Sequence, residues 1–87
     1  MQYPAPWRGA RNAIWALASQ LEERGVPVLL AKAYPSVGVL VASSDVTVWC
    51  YARVLRWQQD GREMTWPAAD IYGAARRLAE LARPGTP

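Results

Sequence analysis

The stretch Val46-Thr47-Val48-Trp49-Cys50-Tyr51 alternates between two kinds of side chain along its whole length. Valine or cysteine occupies every second position, and threonine, tryptophan and tyrosine fill the positions between them. Successive side chains of a strand point to opposite faces of its sheet, so this alternation predicts a strand with two different environments. Cys50 is predicted to face inward as a small hydrophobe. Trp49 and Tyr51 are predicted to point together to the other face.

Further strands are predicted on both sides of this stretch, because apolar runs are separated there by turn residues. The candidates are Val28–Ala31, Val37–Val41, Val54–Gln58 and Arg62–Trp66. Turn candidates are Tyr34-Pro35-Ser36, Ser43-Ser44-Asp45 and the Asp-Gly hairpin signal in Gln59-Asp60-Gly61. Sequential strands joined by short turns form an antiparallel meander.

A helix is predicted at each end of this strand region. The first runs from about Trp7 to Arg24, and Gly25 and Pro27 end it. In the second, Asp70 is either the N-cap or, if the helix starts at Pro67, an acid in the first turn. The predicted apolar faces are Ala10, Ile14, Leu17, Ala18 and Leu21 in the first helix, and Ile71, Ala74, Ala75, Leu78 and Ala82 in the second.

The predicted fold is a two-layer α+β domain with an antiparallel meander sheet of three to five short strands. The N- and C-terminal helices flank the sheet and cover one of its faces. At 87 residues the chain is expected to form one domain over residues 1–87, with residues 1–6 and 84–87 frayed. The second face of the sheet is left to solvent or to a partner.

Five tryptophans, no phenylalanine and no histidine make the composition unusual for a chain of this length. A small domain cannot easily bury five indoles, since each is large and each N–H needs a partner. Some tryptophans are therefore expected to be partly exposed. Trp7 and Trp66 are interpreted as structural, because they lie at the ends of predicted elements.

Catalysis is not expected from this sequence. The chain lacks histidine, the commonest acid–base group and metal ligand, and its seven acidic residues are scattered. Cys50 is the only cysteine, so an internal disulfide and a cysteine zinc site are both excluded. The glycines do not form a phosphate-binding loop. We expect a protein that is not an enzyme and has neither a cofactor nor a metal.

Aromatic and arginine side chains of the strand region are the main candidates for contact with a partner. The predicted surface consists of Trp49, Tyr51, Trp57, Arg53, Arg56 and Arg62. Tryptophan, tyrosine and arginine are the residue types enriched at binding hot spots between proteins. Aromatics interleaved with arginine on an open sheet also suit single-stranded nucleic acid. A third interpretation is that Trp49 and Trp57 simply fill the core.

A secondary candidate patch lies on the first helix, where Arg8, Arg11 and Trp15 follow helical spacing beside the apolar face. A stripe of tryptophan and arginine could lie at a membrane interface. Because Glu22 and Glu23 follow on the same helix, a solvated surface is favoured over a membrane-bound one.

The function expected from these features is a small non-catalytic binding or regulatory module. Its partner is expected to be a protein or a second copy of the chain, and nucleic acid is the alternative. The net charge of +3 permits an anionic partner without requiring one. No apolar run is long enough for a membrane span, and the single cysteine favours the cytoplasm.

Overall fold

The computed structural model describes residues 7–43 and 46–82 as two helices and five strands. In chain order these are α1 (Ala10–Glu23), β1 (Val28–Ala33), β2 (Val37–Ala42), β3 (Val46–Tyr51), β4 (Val54–Gln59), β5 (Arg62–Pro67) and α2 (Ile71–Ala82). The strands form a single antiparallel sheet in the order β1-β2-β3-β4-β5. The predicted helix–meander–helix order is confirmed. The predicted frayed ends and the turn residues Ser44 and Asp45 lie outside the described residues.

Helix α1 packs on the sheet through the face that its apolar spacing predicts. Ala10, Ile14, Leu17, Ala18 and Leu21 are all buried. The helix begins after Gly9, three residues later than predicted, and Ala10 N–H donates to the Pro35 carbonyl at 3.1 Å. Its end is as predicted, because Gly25 adopts the left-handed conformation with φ 81°.

Helix α2 begins at a side-chain cap. The Gly73 N–H donates to Asp70 Oδ1 at 3.1 Å, which makes Asp70 the N-cap. The second carboxylate oxygen of Asp70 accepts a hydrogen bond from Trp66 Nε1 at 3.0 Å. Asp70 therefore ties the start of the helix to β5, and the alternative start at Pro67 is wrong.

Two hairpins of the sheet turn through pairs of residues with positive φ. Asp60 and Gly61, with φ 53° and 77°, join β4 to β5 at the predicted Asp-Gly turn. Ala52 and Arg53, with φ 52° and 68°, join β3 to β4 in the same way. The second turn has neither glycine nor asparagine, which are the residues that adopt this conformation most readily.

The two helices lie on the same face of the sheet, and the core fills the space between the layers. The sheet contributes Leu40, Val48, Cys50, Leu55 and Trp57, and the helices contribute mainly leucine and alanine. Gly38 lets α1 approach closely, since a Cβ at this position would lie 2.5 Å from Ile14 Cγ1. The other face of the sheet has no covering layer among the described residues. We call it the open face.

Candidate functional site: the open face of the sheet

Trp49 and Tyr51 stand side by side on the open face, as the alternation of β3 predicts. Trp49 is 49% exposed and Tyr51 is 42% exposed. On the neighbouring strand β2, Val39 lies opposite Trp49 and Val37 lies opposite Tyr51. The aromatic pair therefore continues into an apolar strip, and this strip crosses the middle of the face.

Arg56 extends the aromatic pair onto β4. It lies directly opposite Trp49 in the sheet register, and its guanidinium carbon is 4.6 Å from the centroid of the Tyr51 ring. Its Nη1 also lies 3.4 Å from Glu63 Oε1 on β5, a salt bridge that is partly open to solvent. Each contact is worth about 1 kcal/mol or less at such a position. Together they hold the guanidinium in one place.

An open depression of about 500 Å³ lies between these side chains. Its lining includes Thr47, Trp49, Tyr51, Arg56, Gln58 and Glu63. The volume falls within the range of small-molecule pockets, but the depression lies on a sheet face and not in an enclosed cleft. Its apolar wall comes from β3 and its charged wall from β4 and β5. It suits one or two side chains of a partner.

Trp57 borders this depression, but its indole lies on the other side of the sheet, so its predicted place beside Trp49 is wrong. The indole is 2% exposed and belongs to the core on the helix side of the sheet. Its ring stacks on Trp66, with centroids 6.3 Å apart. The cause is the two-residue turn between β3 and β4, which sets Trp49 opposite Arg56. Trp57, one residue further, must therefore point to the opposite face.

Arg53 and Arg62 take different places from Arg56. Arg53 lies in the turn at one end of the open face and is exposed. Arg62 lies opposite Gln59 on β4, and Gln59 shares the helix-side face of the sheet with Trp57. The predicted place of Arg62 beside the open-face aromatics is therefore wrong. Of the six predicted residues, the structure brings together Trp49, Tyr51 and Arg56.

Glu63 is the functional candidate that the sequence prediction missed. The predicted Asp-Gly hairpin was enough to find it. A two-residue turn at Asp60 and Gly61 pairs Gln59 with Arg62 and therefore Gln58 with Glu63. Gln58 lies two residues from Arg56 and shares its face, which places Glu63 diagonally across from the guanidinium. The structure confirms the contact as the salt bridge to Arg56.

Cys50 lies beneath the open face and points into the core, as predicted. It is fully buried, and burial raises the pKa of the thiol from 9.0 to about 11. The thiol is therefore protonated and unreactive at neutral pH. The described residues also contain no group of three acidic, cysteine or histidine side chains placed to hold a metal ion.

The secondary patch lies elsewhere on the molecule. Arg8, Arg11 and Trp15 are exposed at α1, and Trp15 is 53% exposed. Arg8 precedes the helix, and Trp15 lines a depression beside the free edge of β1, where Leu29 and Leu30 are also exposed. This patch belongs to the rim of the helical layer and is separate from the open face.

Comparison with known proteins gives no match to a family model, to a curated protein or to a solved structure. Neither helix of the described chain has the length and hydropathy to span a bilayer. Function is therefore inferred from the surfaces of the molecule.

Proposed function

We propose that the protein is a small non-catalytic binding module that holds a segment of a partner protein on the open face of its sheet. The observation that carries this proposal is the group of Trp49, Tyr51 and Arg56 around one depression. Two large aromatic rings are half exposed there on a face that no other described element covers. The single buried cysteine accords with a role in the cytoplasm.

The chemistry of the open face favours a protein partner. Valines of β2 and β4 surround the aromatic pair, and Arg56 is already held by Tyr51 and Glu63. A side chain that is fixed before binding loses little entropy when the complex forms. Tryptophan, tyrosine and arginine in a partly apolar surround are typical of binding hot spots.

A nucleic-acid partner is less well supported by the same contacts. The guanidinium of Arg56 covers one side of the Tyr51 ring, where a base would stack, and Glu63 offsets its charge. Single-strand binders need both free rings and unpaired cations along the backbone path. Trp49 is left as the one open stacking platform of the group.

The test is affinity capture with three baits: the wild-type chain, Trp49→Ala, and the control Tyr72→Ala. Tyr72 is an exposed aromatic on α2, in the helical layer, and is 62% exposed against 49% for Trp49. We expect a captured partner to bind Trp49→Ala at least about thirtyfold more weakly, which corresponds to a hot-spot loss of about 2 kcal/mol. The Tyr72 variant should bind as the wild type does. Urea unfolding should show that Trp49→Ala remains folded.

A partner that binds Trp49→Ala as tightly as the wild type would contradict the proposal. A titration with a single-stranded oligonucleotide at low and at physiological salt distinguishes a nucleic-acid partner from a protein partner. Tight binding at low salt that weakens steeply as salt rises would indicate phosphate contacts and would favour the nucleic-acid function.

A further inference from the structure

One side of helix α1 carries opposite charges at equal distances from its midpoint. A basic residue lies towards the start of the helix and an acidic residue lies towards its end. The exposed residues of this surface stripe are Arg11, Trp15 and Glu22, which lie on one side of the helix; Ala18 lies on the same side but is buried where the stripe meets the core. Arg11 stands at the basic end and Glu22 at the acidic end, and the midpoint falls between residues 16 and 17. Neither Arg11 nor Glu22 has an ion-pair partner among the described residues.

The stripe borders the free edge of the sheet. Strand β1 pairs with β2 on one side, and its other side has no strand beside it within residues 7–43 and 46–82. Trp15, Glu22 and Glu23 line a depression of about 720 Å³ together with the strand residues Val28–Ala31. Leu29 is 65% exposed in this depression. We call the stripe and this strand edge together the α1–β1 edge.

We propose that two copies of the chain associate through their α1–β1 edges around a two-fold axis. A two-fold axis perpendicular to the sheet turns α1 of the second copy antiparallel to α1 of the first, and places the two β1 strands antiparallel as well. Arg11 of each copy then lies opposite Glu22 of the other, and Trp15 lies opposite Ala18. The charge reversal along the stripe is the pattern that such an axis requires.

The spacing of the elements permits both contacts at once. Neighbouring strands lie about 4.8 Å apart, and packed helices lie about 8–10 Å apart. Because α1 packs over β1 and β2, two helices beside a β1–β1 junction come within reach of each other's long side chains. The bulge between Val28 and Leu30 leaves the regular part of the strand, Leu30–Ala33, for pairing.

The opposite edge of the sheet carries more of the features that discourage such association, since β1 has a single charged residue, Lys32. Strand β5 begins with Arg62 and Glu63 and ends at Pro67. Charged residues and proline discourage the pairing of an edge strand. Association through β1 alone stops at two copies, because each copy has one such edge.

Charge reversal tests the proposal. Arg11→Glu alone and Glu22→Arg alone each bring two pairs of like charges together across the axis. Sedimentation equilibrium should show that each variant raises the dimer dissociation constant about tenfold or more above that of the wild type. An equimolar mixture of the two variants should form a heterodimer of near wild-type affinity, since both charge pairs are then restored.

Two controls separate this effect from net charge and from folding. Arg76→Glu and Glu80→Arg make the same charge changes on α2 and should leave the dissociation constant unchanged. Urea unfolding, measured below the concentration at which the chain associates, should show that the variants are folded. Their folding constant should equal that of the wild type or be up to about fivefold larger (about 1 kcal/mol), because each reversal removes an unfavourable charge from one end of α1.

Three results would overturn the proposal. The wild-type chain could remain monomeric up to millimolar concentration. A dimer could form whose affinity neither charge reversal changes, which would place its interface elsewhere, for example between two open faces. The mixed variants could also fail to restore association, which would exclude the antiparallel pairing of α1.

Discussion

The pKa of the Cys50 thiol reflects the two-layer packing of this domain. Cys50 lies on the helix side of β3, opposite Leu55 of β4, and is completely buried. Burial disfavours the charged thiolate, so the pKa of the thiol rises to about 11 from 9.0. In the unfolded chain the same thiol has its ordinary pKa. The difference makes folding sensitive to alkaline pH.

We expect the free energy of unfolding to fall as the pH rises from 9 to 11. Below pH 9 the thiol is protonated in both states, so its contribution is fully present. Between the two pKa values the unfolded chain loses the proton and the folded chain keeps it, which destabilises the fold by at most about 1.4 kcal/mol per pH unit. Urea unfolding at a series of pH values measures this slope.

The Cys50→Ala variant provides the reference for this pH effect. The two chains differ only at this position, so the difference between the two slopes isolates the thiol. The variant should show a flatter fall. Equal slopes would mean that Cys50 is not buried from solvent as the fold requires.

At the scale of single elements, the turn between β3 and β4 decides which side chains share a face. Ala52 and Arg53 form a two-residue turn, so Tyr51 lies opposite Val54 and Trp49 opposite Arg56. A turn with one more residue would shift the pairing and send Trp57 to the open face. The identity of the site thus depends on the length of one hairpin.

Replacement of Ala52 and Arg53 by the favoured pair, Ala52→Asn with Arg53→Gly, should stabilise the domain. Both residues now hold a left-handed conformation, which costs roughly 1 kcal/mol or more for residues other than glycine. Allowing for the greater freedom of glycine in the unfolded chain, we expect a net gain of about 1 kcal/mol in urea unfolding.

The hairpin between β4 and β5 provides the control, because there the substitution removes a glycine from a left-handed position. Gly61 has φ 77° and open space around its Cα, so Gly61→Ala meets backbone strain and no clash. This variant should lose about 1 kcal/mol. An unchanged or lower stability of the Asn-Gly turn variant would mean that the left-handed pair is not strained.

The same turn explains which parts of the site the sequence could predict. Trp49 and Tyr51 were predictable because β3 alternates along its whole length, and Arg56 because arginine is a common contact residue. Trp57 was not: the alternation of Leu55-Arg56-Trp57-Gln58 places Trp57 on the same face as Leu55, but it does not tell whether Trp49 lies on that face. Its face depended on a turn that carries no glycine, asparagine or proline to mark it. Helices α1 and α2 were easier, because their apolar spacing and caps are local signals.

At the scale of the whole molecule, the first and last described elements close the core. Helices α1 and α2 pack together over one face of the sheet. Arg24 at the end of α1 lies over the Tyr72 ring of α2, 4.6 Å from its centroid. The core is small and built largely of alanine and leucine, so each large residue carries much of its stability.

Leu78→Ala should therefore destabilise the domain strongly. Leu78 is buried in α2, and removal of a buried leucine side chain costs about 2–5 kcal/mol. The loss is a large part of the total stability expected for a small domain. Urea unfolding followed by tryptophan fluorescence should show a much lower midpoint.

Leu29→Ala is the matched control for Leu78, since it removes the same atoms from an exposed position. Measured below the concentration at which the chain associates, it should change stability by no more than about 0.5 kcal/mol. Similar losses at the two positions would contradict the placement of α2 over the core.

The order of the strands also determines what a pair of copies would present to a partner. Trp49 is on β3, two strands in from the β1 edge. Joining two β1 edges makes one continuous sheet, in which five strand spacings of about 4.8 Å separate the two copies of Trp49, or about 24 Å. Both depressions then open on the same side. A partner with two suitably spaced segments would bind with avidity, so a weak contact at each Trp49 would give tight binding overall.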